Sequence, residues 1–127
     1  MDARPLVLLV EDEPMIAVNT AELLGDEGFS VILAWSSAEA FRLIAERCDD
    51  LSAVFVDINL HDEMTGFDVA RTARRECPGI GVIYTSGGLP EDFDAQRVPG
   101  GRFLDKPYSQ REAAEILRGM IDVSKAA

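Results

Sequence analysis

The sequence predicts an α/β fold in which a five-stranded parallel sheet is doubly wound, with helices on both faces. Two observations predict it. Apolar runs of strand length alternate with segments whose apolar residues recur at helical spacing. The strand runs are continuously apolar, as expected where both faces of a sheet are covered. The chain has 127 residues, 47% of them hydrophobic and 28% charged. That is enough to bury one core without disulfides and too little for two.

Leu6-Val7-Leu8-Leu9-Val10 is the first strand run. Pro14 stands where a first helical turn tolerates a missing N–H, and Ile16, Thr20, Leu23, Leu24 and Glu27 follow at helical spacing until Gly28. Ser30 to Trp35 forms the second strand, with Trp35 packing at its end. Ser36 or Ser37 caps a helix whose Ala40, Phe41, Ile44, Ala45 and Cys48 share a face. Ala53-Val54-Phe55-Val56 is a third buried strand that stops at Asp57. Phe67 to Glu76 is helical and closed by Pro78-Gly79. Ile80 to Tyr84 is the fourth strand, Arg102-Phe103-Leu104 a short fifth, and the last helix runs from about Ser109 to Ile121. Neither a repeat nor a linker interrupts the series, so one domain over residues 1–127 is expected.

Charge and cysteine content exclude several function classes. Asp and Glu number 23 against 12 Lys and Arg, for a net charge of −11. A nucleic-acid backbone or an anionic membrane would meet repulsion over most of such a surface, so neither is an expected partner. The apolar runs are too short for a spanning helix or a signal segment. Cys48 and Cys77 form no CxxC pair and have no zinc spacing. Both are expected to be inert helix-end thiols of a reducing, cytoplasmic compartment.

In doubly wound sheets the working groups gather at the carboxyl ends of the strands. Here the first strand ends in Glu11-Asp12, the third in Asp57, the fourth in Thr85-Ser86-Gly87 and the fifth in Asp105-Lys106-Pro107. If the first and third strands are neighbours, their ends lie about 5 Å apart. Glu11, Asp12 and Asp57 then share one pocket. Carboxylates that close require a raised pKa or a cation. An all-oxygen donor set suits a hard divalent ion, magnesium, with Lys106 supplying a second positive charge opposite.

Val7-Leu-Leu-Val-Glu-Asp-Glu-Pro14, Val54-Phe-Val-Asp-Ile-Asn59, Tyr84-Thr-Ser-Gly87 and Phe103-Leu-Asp-Lys-Pro107 together resemble the signatures of the receiver domain of two-component response regulators. The resemblance covers nearly the whole chain. It implies a flavodoxin-like sheet of strand order 2-1-3-4-5 and a receiver domain over 1–127 with no output domain. It also implies a residue-by-residue chemistry. Asp57 is matched to the phosphoacceptor, which takes a phosphoryl group from a phosphohistidine donor. Asp12 and Asp57 are matched to direct Mg2+ ligands, Glu11 to a ligand acting mainly through water, and Asn59 to a backbone-carbonyl ligand. Ser86, rather than Thr85, is matched to the switch hydroxyl, and Gly87 to the residue whose backbone N–H is free for the phosphoryl group. Lys106 is matched to the lysine that pairs with Asp57 and then with the phosphoryl group. Phe103 is matched to the switch aromatic, and Pro107 to a cis-proline that turns the lysine inward. The partners implied are a sensor histidine kinase or histidine phosphotransfer protein and an unidentified downstream protein.

Several positions carry simpler expectations. Glu13 favours the dipole of the following helix. His61 is a solvated loop residue. The loop from Leu60 to Gly66 lacks the family's Met-Pro pair and is a residue longer. Residues 87–101 hold glycine pairs at both ends and two prolines, which predicts a short, irregular or mobile fourth helix. Tyr84-Thr-Ser-Gly-Gly88 is also loosely similar to a subgroup of stand-alone receivers. Two rivals fit less well. A haloacid-dehalogenase-like phosphatase needs an acid two residues past the nucleophile, where Asn59 stands. A flavodoxin-like FMN carrier needs a phosphate-binding loop where Glu11-Asp12-Glu13 would repel one. The expectation is therefore a single-domain response regulator rather than an enzyme. The alternative is a receiver-like interaction module that works without phosphorylation.

Overall fold

The computed structural model describes residues 4–126, with residues 122–126 described by their backbone alone. Strands and helices alternate as β1 (Leu6–Val10), α1 (Pro14–Asp26), β2 (Ser30–Ala34), α2 (Ser37–Arg47), β3 (Leu51–Asp57), α3 (Gly66–Glu76), β4 (Gly81–Ser86), α4 (Phe93–Gln96), β5 (Arg102–Asp105) and α5 (Gln110–Ala126). The strands pair in parallel in the order β2-β1-β3-β4-β5. Alternation along each strand divides the core into two layers. Val7, Leu9, Phe55 and Ile83 pack against Leu24 of α1 and Ala113, Ala114 and Leu117 of α5. Leu8, Val10, Val54, Val56 and Tyr84 pack against Ile44 of α2 and Phe67, Val69 and Ala70 of α3. Both faces of the central strands are therefore dry, which is why their sequences are continuously apolar.

Local signals set the helix ends. Beyond α1, Gly28 has φ 98°, so the Phe29 and Gly28 N–H groups turn back onto the Leu24 and Gly25 carbonyls, both at 3.1 Å. A side chain at that φ would be strained. Ser36 caps α2 by accepting from the Glu39 N–H at 3.2 Å. Thr65 and Asp68 form a reciprocal capping box at α3. Glu13 occupies the N-cap of α1, but its side chain makes no capping hydrogen bond.

The fourth helix is short, as its glycine- and proline-rich flanks predict, and its four residues are anchored to the rest of the fold. Phe93 stacks against Tyr84 and Phe103, with ring centroids 5.4 Å away in each case. The Tyr84 hydroxyl accepts from the Val98 N–H at 3.0 Å, and Arg71 donates to the Gln96 carbonyl at 3.0 Å. Gly101 is required there, because a Cβ would meet the Tyr84 ring at 2.7 Å.

Three expectations are corrected. Cys48 and Cys77 are not free thiols but a disulfide. They stand at the C-caps of α2 and α3, which lie side by side and bring the two Cα atoms to 5.7 Å. Trp35 is not packed: it lies past the end of β2, an edge strand, and is 42% exposed. The fourth strand continues through Thr85 and Ser86, because β5 pairs with it as far as Ser86 and Asp105.

Candidate functional site

The sheet register builds the site. Val10 lies opposite Val56, and the Glu11 N–H extends the ladder by donating to the Ala34 carbonyl at 3.1 Å. Glu11 and Asp57 are therefore the next pair along β1 and β3. Asp57 stands opposite Thr85, and Thr85 opposite Leu104. Both acids are buried, at 2% and 5% exposure. Lys106, just beyond β5, sends its ammonium between them, donating to Glu11 Oε1 at 2.9 Å and to Asp57 Oδ2 at 2.8 Å. The Lys106–Pro107 peptide bond is cis.

The remaining carboxylate oxygens are held from the backbone. Glu11 Oε2 accepts from the Glu13 N–H at 3.1 Å, and Asp57 Oδ1 accepts from the Asn59 N–H at 2.9 Å. Asp12 is half-buried and faces His61, whose Nδ1 lies 3.0 Å from Asp12 Oδ2. His61 is exposed, as expected of a loop residue, and the structure adds its contact with Asp12. The His61 backbone is left-handed, with φ 56°. Beside these groups opens a cleft of about 460 Å³ lined by residues that include Asp57, Asn59, His61, Thr65, Gly87 and Lys106.

Burial and pairing act against each other here. Burial raises the Glu11 carboxyl above its ordinary value, and the Lys106 and Glu13 hydrogen bonds only partly offset it. Burial alone would lower the Lys106 ammonium, but the bonds to Asp57 and Glu11 outweigh it and hold the pKa above 10.5. One cation thus serves two buried acids, with a third acid at their edge. Oxygen atoms of Glu11, Asp12 and Asp57 lie within 4.8 Å of one another. Hard all-oxygen donors converging on an excess of negative charge fit a divalent cation such as Mg2+.

The two residues that the resemblance matches to switch positions, Ser86 and Phe103, lie on the opposite face of the sheet by their register. The Ser86 hydroxyl donates to the Gly88 carbonyl and accepts from the Gly88 N–H at 3.3 Å, so it is turned into its own loop. Phe103 is half-buried and stacks on Phe93. Gly87 lines the cleft. Two further residues lie against the site. Gly66 begins α3 against the end of β3, where a Cβ would come 2.8 Å from Ile58 Cα and 2.9 Å from the Asp57 carbonyl carbon. Its signal was available in Thr65-Gly66-Phe67-Asp68, where capping-box spacing places a glycine at the first helical position. The other is Thr85, buried on the Asp57 side of the strand.

The family model described as the response regulator receiver domain matches residues 7–118. The chain belongs to this family. Receiver domains act in two-component signalling as phosphoacceptors rather than classical enzymes. This receiver is 32% identical over 119 residues to the sensor kinase CckA of Brucella abortus, matching 91% of this chain and 12% of that protein. It is 33% identical over 123 residues to the probable transcriptional regulatory protein TcrX of Mycobacterium tuberculosis, matching 94% of this chain and 51% of that protein. The receiver thus spans between about an eighth and a half of these relatives. Among solved structures, a response regulator receiver protein from Sinorhizobium medicae superposes with a TM-score of 0.90 at 24% identity, covering 96% of this chain and 98% of the other. That likeness shows the fold, the receiver architecture with strand order 2-1-3-4-5. A sensor protein from Polaromonas is 28% identical with a TM-score of 0.84, covering 95% and 98% of the two chains. Among the described residues, no helix is long and apolar enough to cross a membrane.

Proposed function

We propose that this receiver accepts a phosphoryl group on Asp57 from the phosphohistidine of a sensor histidine kinase or a histidine phosphotransfer protein. The observation that carries the reading is the Lys106 ammonium bridging buried Glu11 and Asp57 at the edge of a three-acid cluster. Asp12, Asp57 and the Asn59 backbone carbonyl would hold Mg2+, with Glu11 acting through water. The ion supplies charge neutralisation on the phosphoryl oxygens.

A carboxylate oxygen of Asp57 attacks phosphorus as the P–N bond breaks, and the histidine nitrogen keeps the electron pair. The product is an acyl phosphate, whose new charge Lys106 is placed to meet. The Gly87 N–H and the Ser86 hydroxyl would bind phosphoryl oxygens, which requires Ser86 to leave Gly88. Phe103, stacked on Phe93, would pass that movement to α4. Output is contact with a downstream protein in the cytoplasm, and self-catalysed dephosphorylation resets it.

Incubation with a small phosphodonor and Mg2+ should add one phosphoryl group, acid-stable and base-labile, and Asp57→Asn should gain none. Equal gain in both proteins, or none in the wild type, overturns the reading. Partner binding that ignores the phosphodonor would favour the interaction module.

A further inference from the structure

Among the described residues, one buried side-chain polar atom has no hydrogen-bond partner, the hydroxyl oxygen of Thr85. The residue is 2% exposed. An orphaned buried hydroxyl lowers stability, because its hydration is lost and nothing replaces it. Its position gives it a use. Thr85 lies directly opposite Asp57 in the β3–β4 register, and in a parallel pair such neighbours project to the same face. That face also carries Phe55 and Ile83, two residues before Asp57 and Thr85, and packs against α5. The neighbouring hydroxyl, Ser86, projects to the other face and is already engaged with Gly88. The end of β4 therefore presents two hydroxyls, one occupied and one free.

Among the described residues, the Lys106 ammonium beside Asp57 has a donor to spare. It has three N–H donors, and two go to Glu11 and Asp57. Phosphorylation turns one Asp57 oxygen into the bridging oxygen of an acyl phosphate and moves the negative charge out to the phosphoryl oxygens. The ammonium must leave its bridge between two carboxylates to follow that charge.

We propose that Thr85 is a positioning residue for Lys106, its hydroxyl accepting an ammonium N–H as the lysine turns from the Glu11–Asp57 bridge toward a phosphoryl group on Asp57. The inference rests on Asp57 being the phosphoacceptor. In the resting protein the hydroxyl waits without a partner. In the phosphorylated protein it holds the ammonium against the sheet.

The test uses the full chain with acetyl phosphate and Mg2+. Valine matches threonine in shape without the hydroxyl, and serine keeps the hydroxyl. Thr85→Val should raise the melting temperature of the resting protein and slow phosphorylation about tenfold, the scale of one hydrogen bond to a charged group. Thr85→Ser should restore the wild-type rate. A Thr85→Val protein phosphorylated at the wild-type rate overturns the proposal. A serine variant as slow as the valine variant also overturns it, because packing would then be the cause. A wild type that takes up no phosphoryl group removes the Asp57 reading itself, and the proposal with it.

Discussion

Glu11 and Glu27 stand at opposite ends of the sheet, and each holds a cation. Glu11 meets Lys106 at 2.9 Å, and Glu27 meets Arg118 at 2.8 Å. Their carboxyls nevertheless shift in opposite directions. Burial raises Glu11, whereas hydrogen bonds from Arg118 and Gln110 lower Glu27, which keeps contact with water. An ion pair alone therefore does not define a role. At the amino end of the sheet the pair closes the surface between α1 and α5. At the carboxyl end the same chemistry is taken out of water, where the charge lowers stability and favours a cation. The amino end also carries the covalent tie between α2 and α3, and the carboxyl end carries the orphaned Thr85 hydroxyl. The fold is fastened at one end and chemically poised at the other.

Removing the tie is the largest test of that contrast. The disulfide joins residues 29 apart, and closing a loop of that length is worth about 3–4 kcal/mol. Cys48→Ser with Cys77→Ser should lose about that much in denaturant unfolding, while the initial rate of phosphorylation stays within about twofold. A large fall in that rate in the folded variant would show that the two ends are coupled.

A smaller effect is expected at the joint between α3 and the site. Gly66→Ala forces a methyl group against the Ile58 and Asp57 backbone, which should cost about 1–3 kcal/mol in unfolding experiments. Because Asp57, the proposed phosphoacceptor, supplies part of the obstructing backbone, phosphorylation should slow as well, unlike in the cysteine variant. An unchanged rate would separate the α3 start from the placement of Asp57.

The smallest effects are in pH dependence, and their signs differ between the ends. The Glu27 pKa is lowered, so its contribution to stability is present above 4.5 and is lost as pH falls through the folded value. The Glu11 pKa is raised, so the folded state binds its proton more tightly. Its contribution is present at acid pH and is lost as pH rises through the folded value. Carboxyl NMR titration should find Glu11 above 4.5 and Glu27 below it. Two overlapping curves would remove the contrast.

The site acids were legible in the sequence because each follows a continuously apolar run, and only a sheet terminus puts a carboxylate there. The brevity of α4 was legible from the glycine pairs and prolines that flank it. The disulfide was not, because side-by-side packing of α2 and α3, rather than any local spacing, brings the cysteines together. Thr85 is not singled out by the sequence, because Gly87 favours Ser86 as the switch hydroxyl and the apolar strand run stops at Tyr84. Pairing with β5 carries β4 two residues beyond Tyr84. The contact between His61 and Asp12 was not legible, because it joins loops 49 residues apart that the sheet brings together.

The central claim is that Asp57 carries the phosphoryl group, and reductive trapping tests it most directly. Borohydride converts an aspartyl phosphate to homoserine, which peptide mass spectrometry assigns to a single residue. After treatment with acetyl phosphate and Mg2+, homoserine is expected at position 57 alone. Homoserine at another aspartate, or none anywhere in a protein that has gained phosphoryl mass, would contradict the account.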